Sequence, residues 1–128
     1  ALYQGGATRS RMREARRSAK RQWYEIQEIK NRIRQETTSN WHSYLAARRV
    51  TNSRQMEIES AVLALNGVRE EARLGQRTIL DILDADAELI EARIALANAQ
   101  HDEVVSQFAL AASLAMISPE LSESGVSQ

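Results

Sequence analysis

The sequence predicts an all-α chain, a long antiparallel helical hairpin of coiled-coil character, on three observations. Apolar residues recur at spacings of three and four over two long stretches, 8–74 and 79–117. Turn formers are scarce, since the 128 residues hold one Pro, five Gly and a single Phe, which leaves little punctuation for a sheet or a rounded core. One strong interruption, Gly75-Gln76-Arg77-Thr78, falls between the two stretches.

Residues 1–7 read as the end of a strand, because Ala-Leu-Tyr-Gln runs into the Gly5-Gly6 pair. From Thr8 a helical face follows through Met12, Ala15, Ala19, Trp23, Ile26, Ile29, Ile33, Thr37, Trp41 and Tyr44. It weakens over the polar stretch Thr51 to Gln55 and resumes at Ala61, Val62, Leu65, Val68 and Ala72. Gly67, inside this run, reads as a site of close packing or mild weakening. Gly75 can close the helix in the left-handed conformation without Cβ strain. Residues 75–78 then form the turn, and Thr78 starts the next helix in a capping box, its hydroxyl accepting from the Asp81 amide while Asp81 reaches back. The returning helix, 79–117, shows three apolar lines at seven-residue intervals. They are Leu83, Ile90, Ala97, Val104 and Ala111; Ile82, Leu89, Leu96 and Leu110; and the small row Ala85, Ala92, Ala99, Ser106 and Ser113. A two-helix seam needs only two lines, so this helix is expected to pack on more than one side. Ser118-Pro119 is expected to end it, with a disordered tail over 118–128.

Folding back at Gly75-Gln76 pairs residue i with roughly residue 151 − i, so the shorter helix leaves about 26 residues of the longer one without an intrachain partner. That overhang is basic. Residues 1–34 hold ten Lys and Arg against three Glu, a net +7, balanced by −7 in the remainder. It also carries the apolar stripe that includes Trp23, Ile26 and Ile29, so another chain or another helix is expected to cover it.

Without cysteine, disulfide and thiolate chemistry are excluded. No apolar run approaches the roughly twenty residues of a membrane-spanning helix, and no signal-peptide pattern opens the chain. His42 and His101 stand alone without a second ligand at helical spacing, so neither a metal nor a cofactor is expected. No nucleophile triad, phosphate loop or paired carboxylate in a pocket points to an enzyme. Arg9 to Arg21 could be read as a nucleic-acid-binding basic helix, but Glu14 interrupts it, Asn is absent from the run, and the Gly pair before it is foreign to that arrangement. Asp84, one turn after Asp81 on the same face, reads as a lumen or interface carboxylate.

The segment Gly75-Gln76-Arg77-Thr78-Ile79-Leu80-Asp81-Ile82-Leu83-Asp84-Ala85, preceded by Leu2-Tyr3-Gln4-Gly5-Gly6 at the length of one long helix, resembles the second structural repeat of TolC-type outer-membrane efflux proteins. In that family three protomers form a membrane β-barrel continued by a periplasmic α-helical barrel, with two such repeats in each protomer. The resemblance implies that this chain is a tunnel hairpin from the periplasm of a Gram-negative bacterium, with membrane contact only through strands outside it. It implies a trimer that works with a periplasmic adaptor and, through it, an inner-membrane transporter. Position by position, Asp81 and Asp84 match the acidic residues of the pore constriction, Arg77 matches a basic member of the gate network, and Leu74 and Gly75 match the tip that docks the adaptor. Where the family pattern carries an aromatic residue three positions before this glycine, Ala72 stands here. The alternative reading is a free-standing coiled-coil interaction module, and behind it the basic-helix nucleic-acid binder.

Overall fold

In the computed structural model, which describes residues 4–123, two helices form an antiparallel hairpin. Helix α1 spans Gln4–Arg73 and helix α2 spans Ile79–Glu123, and no strand is formed among the described residues. The first three residues of the expected strand exit and the last five of the expected tail lie outside the described residues.

Both outer boundaries differ from the sequence expectation. Helix α1 begins at Gln4, so Gly5 and Gly6 are helical instead of closing a strand. A helical Gly costs about 1 kcal/mol relative to Ala, which the Ala, Arg and Met residues that follow can offset. Helix α2 runs through Ser118 and Pro119 to Glu123, past the expected stop at 117. A proline in a helix interior removes one amide donor and crowds the carbonyl four residues earlier, at a cost of about 3 kcal/mol, so this last stretch is the weakest part of α2.

The helices meet along a strict heptad. On α1 the residues withdrawn from water step by three and four through Ile33, Thr37, Asn40, Tyr44, Ala47, Thr51, Arg54, Ile58, Ala61, Leu65, Val68 and Ala72. On α2 they are Ile82, Ala85, Leu89, Ala92, Leu96, Ala99, Glu103, Ser106, Leu110, Ser113 and Ile117, with Asp81, Asp86 and Ala95 also partly covered beside them. This 3.5-residue period is that of a left-handed coiled coil, in which large residues on one line alternate with small ones on the other. Two of the three lines expected to be apolar on α2 therefore face α1, and their buried members are Leu89, Leu110, Ala92, Ala99 and Ser113.

The α1 face keeps Ile33, Thr37, Tyr44, Ala61, Leu65, Val68 and Ala72 of the face that a 3.6-residue average suggested, and departs from it at other positions. Ile29 and Trp41 are about half exposed, while polar Asn40 takes the seam position next to Trp41. Asn40 donates from Nδ2 to the Ser113 hydroxyl and, at 3.4 Å, to the Ala109 carbonyl. The Ser113 hydroxyl donates in turn to Ala109 at 3.0 Å. Lower down, the Thr51 hydroxyl reaches the Ala99 carbonyl at 3.3 Å, and Arg69 meets Asp86 at 3.6 Å. The numbers of these paired residues add to between 149 and 155, which bears out the expected register.

Above the reach of α2 the long helix stands bare. Every residue from 5 to 26 is exposed, and Gln27 is the first to be partly covered. The bare stretch is shorter than expected because α2 is longer, yet it still amounts to about 33 Å of helix.

Candidate functional site

The tip joins the helices through two complementary caps. At the end of α1 the Gly75 amide donates to the Ala72 carbonyl at 3.0 Å and the Gln76 amide to the Glu71 carbonyl at 2.9 Å. These are the 5→2 and 6→1 bonds of a Schellman motif, which requires a left-handed residue between them. Gly75 has φ +76° and supplies it, as the sequence indicated. A Cβ on Gly75 would meet nothing within 4 Å, so the demand for glycine here comes from backbone conformation and not from crowding.

At the start of α2 the expected capping box is present. The Thr78 amide donates to Asp81 Oδ2 at 2.8 Å, the Thr78 hydroxyl donates to the same oxygen at 2.9 Å, and the Asp81 amide lies 3.2 Å from the Thr78 hydroxyl. The Thr78 amide and then its hydroxyl hold the Asp81 carboxyl below the usual aspartate range, with Arg77 adding a smaller pull. The negative charge also sits at the positive end of α2.

Arg77 bridges the two caps. Its Nε donates to Glu71 Oε2 at 2.7 Å, and the Glu71 hydrogen bond and charge, followed by Asp81, raise the guanidinium above its ordinary value. Sequence reasoning missed Glu71 as a partner. The signal was available, since a carboxylate in the last turn of α1 lies beside the turn that must carry Arg77 back. Arg73, also in that last turn, pairs instead with Glu70 at 3.1 Å. Leu74 is largely exposed at the apex, and Asp84 is exposed one turn beyond Asp81. The structure thus brings Arg77, Asp81 and Glu71 into one network around Thr78, while Leu74 and Asp84 remain open to solvent.

A second feature lies along α2, opposite the hairpin seam. Leu80, Leu83, Ala87, Ile90, Ile94, Ala97, His101, Val104, Phe108 and Ala111 repeat the same three-four step, and all are exposed. This line includes the row Leu83, Ile90, Ala97, Val104 and Ala111 identified in the sequence. It is displaced from the buried seam by three heptad positions of about 51° each, or about 150° around the helix. Among the described residues no helix is long and apolar enough to cross a membrane.

No family model and no solved structure matches the chain. Among curated proteins it is 38% identical over 109 residues to the outer membrane efflux protein BepC of Brucella suis biovar 1 (strain 1330), covering 85% of this chain and 24% of that protein. It is 27% identical over 106 residues to the outer membrane protein TolC of Salmonella enteritidis, covering 83% of this chain and 22% of that protein. Against the outer membrane protein TolC of Escherichia coli (strain K12) it is 24% identical over 119 residues, covering 93% of this chain and 24% of that protein. The chain therefore spans about a quarter of the length of the curated relatives it matches. A hairpin with a Gly75 closure and a Thr78 cap, aligned with these proteins over most of its length, belongs to the family of TolC-type outer-membrane efflux proteins.

Proposed function

We propose that this chain is a periplasmic tunnel segment of a trimeric outer-membrane efflux or secretion channel, with its tip forming the gated entrance and docking a periplasmic adaptor that links it to an inner-membrane transporter. The observation that carries this reading is the pair of heptad seams on α2. A helix with two apolar seams about 150° apart is suited to packing between two neighbours, and that angle is the interior angle of a regular ring of about twelve helices. A trimer whose protomers each contribute two such hairpins has that number.

In that ring the tip residues take the roles implied by the family resemblance. Asp81 and Asp84, repeated by threefold symmetry, place rings of carboxylates at a constriction that attracts cations and disfavours anions. The Arg77–Glu71 pair ties the turn to α1 and holds the closed arrangement, and the exposed Leu74 with Gly75 forms the knob offered to the adaptor. The channel itself is passive and needs no cofactor. In the full-length protein in planar bilayers, the double change Asp81→Asn and Asp84→Asn should weaken cation preference and block by trivalent cations, with assembly retained. Undiminished selectivity and block would remove these aspartates from the constriction.

A further inference from the structure

We infer that the end of α1 farthest from the tip is a docking surface for anionic phospholipid headgroups, gathered by Arg13, Arg17 and Lys20 on a face turned away from the hairpin seam. The inference rests on the proposed function only for the placement of that end toward the outer membrane. It adds a contact of α1 itself to the membrane contact expected only through strands outside the chain.

The first support is the direction in which the charges face. Ser10, Arg13, Arg17 and Lys20 follow one another at spacings of three and four, so they form a single line on the helix. Prolonged upward, the seam runs through Met12, Arg16, Ala19, Trp23 and Ile26. The line of cations is displaced from it by two heptad positions of about 51° each, or about 100° around the helix. A helix that covered the seam would leave these three charges in the open. All three are exposed, and among the described residues no ion pair engages any of them. Followed down to Arg34, the line meets no carboxylate.

The second support is the way the charge falls off along the helix. Residues 9–21, about 18 Å of helix, hold seven Lys and Arg against one Glu, whereas residues 22–34 hold three against two. An anionic surface is screened over about 8 Å at physiological ionic strength, so the cationic run spans roughly two screening lengths. A run that stops there matches a surface met end-on. An acidic helix lying alongside α1 would instead be matched by charge along its whole length.

The third support is chemical. Guanidinium groups take phosphate oxygens in pairs, and clusters of Lys and Arg beside a membrane are drawn to anionic headgroups. Duplex nucleic acid offers the same phosphates, but the chain belongs to a family of outer-membrane proteins, which favours lipid as the source.

The test places a photoreactive benzoylphenylalanine at Ser10 and, separately, at Asn31 in the full-length protein in outer membranes. Asn31 is exposed on the same line, about 32 Å nearer the tip. Mass spectrometry should find phospholipid adducts at Ser10 and none at Asn31, with anionic headgroups enriched over their share of the membrane. Arg13→Gln, Arg17→Gln and Lys20→Gln together should cut that yield by about tenfold or more, since one cation near an anionic surface is worth about fivefold. Arg17→Gln alone, with a loss of about fivefold, keeps the test readable if the triple variant does not assemble. Equal lipid yields at Ser10 and Asn31, adducts that follow the bulk lipid composition, adducts with protein or nucleic acid in place of lipid, or a yield indifferent to the charge changes overturn the inference. A third probe at Leu80 separates the two ideas. Lipid at neither Ser10 nor Leu80 in a conducting channel refutes this inference alone, and lipid at Leu80 without lipid at Ser10 refutes the proposed placement of the hairpin.

Discussion

The half of the hairpin nearest the tip and the half farthest from it solve the same packing problem with different materials. From Arg54 down to the turn, the seam includes Ile58, Leu65 and Val68 facing a helix on which Leu89, Ala92 and Ala99 are buried, and both helix ends are capped by the turn's own atoms. Above Thr51 the α1 seam turns polar through Asn40 and Thr37, and every described residue from 5 to 26 is exposed. The lower half is nearly self-sufficient, while the upper half is left uncovered among the described residues. Even in the lower half the self-sufficiency is one-sided, because the second seam of α2 stays open along its length.

The largest expected effect separates the two faces of α2. Leu89→Ala, at a site only 6% exposed, should destabilise the single hairpin by about 2–4 kcal/mol in denaturant titration. Ile94→Ala on the open face should change it by no more than about 0.5 kcal/mol at dilutions where the chain is a lone hairpin, and should become costly once neighbours cover that face. Equal losses at both positions in the dilute chain would erase the distinction.

The turn comes next in size. Gly75→Val forces a β-branched residue into the left-handed region at a cost of about 1–2 kcal/mol, which a thermal melt can read. In the full-length protein the same change should reduce crosslinking to the adaptor and drug resistance together. Both surviving unchanged would dissociate the tip from docking.

The smallest effect is at the cap. Thr78→Ala removes the hydroxyl that receives the Asp81 amide and should cost about 1 kcal/mol. Asp81 has a folded-state pKa below its unfolded one, so its contribution is complete above the ordinary aspartate range and disappears as pH falls through the lowered value. The difference between wild type and Thr78→Ala should therefore narrow in acid. A gap that widens there would contradict the hydrogen bonds assigned to Asp81.

What was legible in the sequence was whatever depends on local chemistry or exact repetition. Gly75, Thr78 and Asp81 gave the turn because each needs a specific conformation or partner within a few residues. The seven-residue rows of α2 gave its packing because they repeat along the helix, broken only by Glu103. Trp41 was misplaced because size and hydrophobicity favour it over Asn40, and only the strict 3.5 period reveals that the smaller polar residue holds the seam, bonded to Ser113 across it. Gly5-Gly6 and Pro119 were read as stops, since local propensity weighs the residue itself and not the helical residues around it. Glu71 escaped notice because its partner Arg77 lies across a turn and not along one helix face.

The central claim is that the open seam of α2 is an interface, and sedimentation of the 128-residue chain at high micromolar concentration tests it most directly. The chain should associate while retaining its helix content, and Ile94→Glu combined with Phe108→Glu should return it to monomer without unfolding it. A wild-type chain that stays monomeric at that concentration with full helicity, or one that associates equally well with both glutamates in place, would contradict the account.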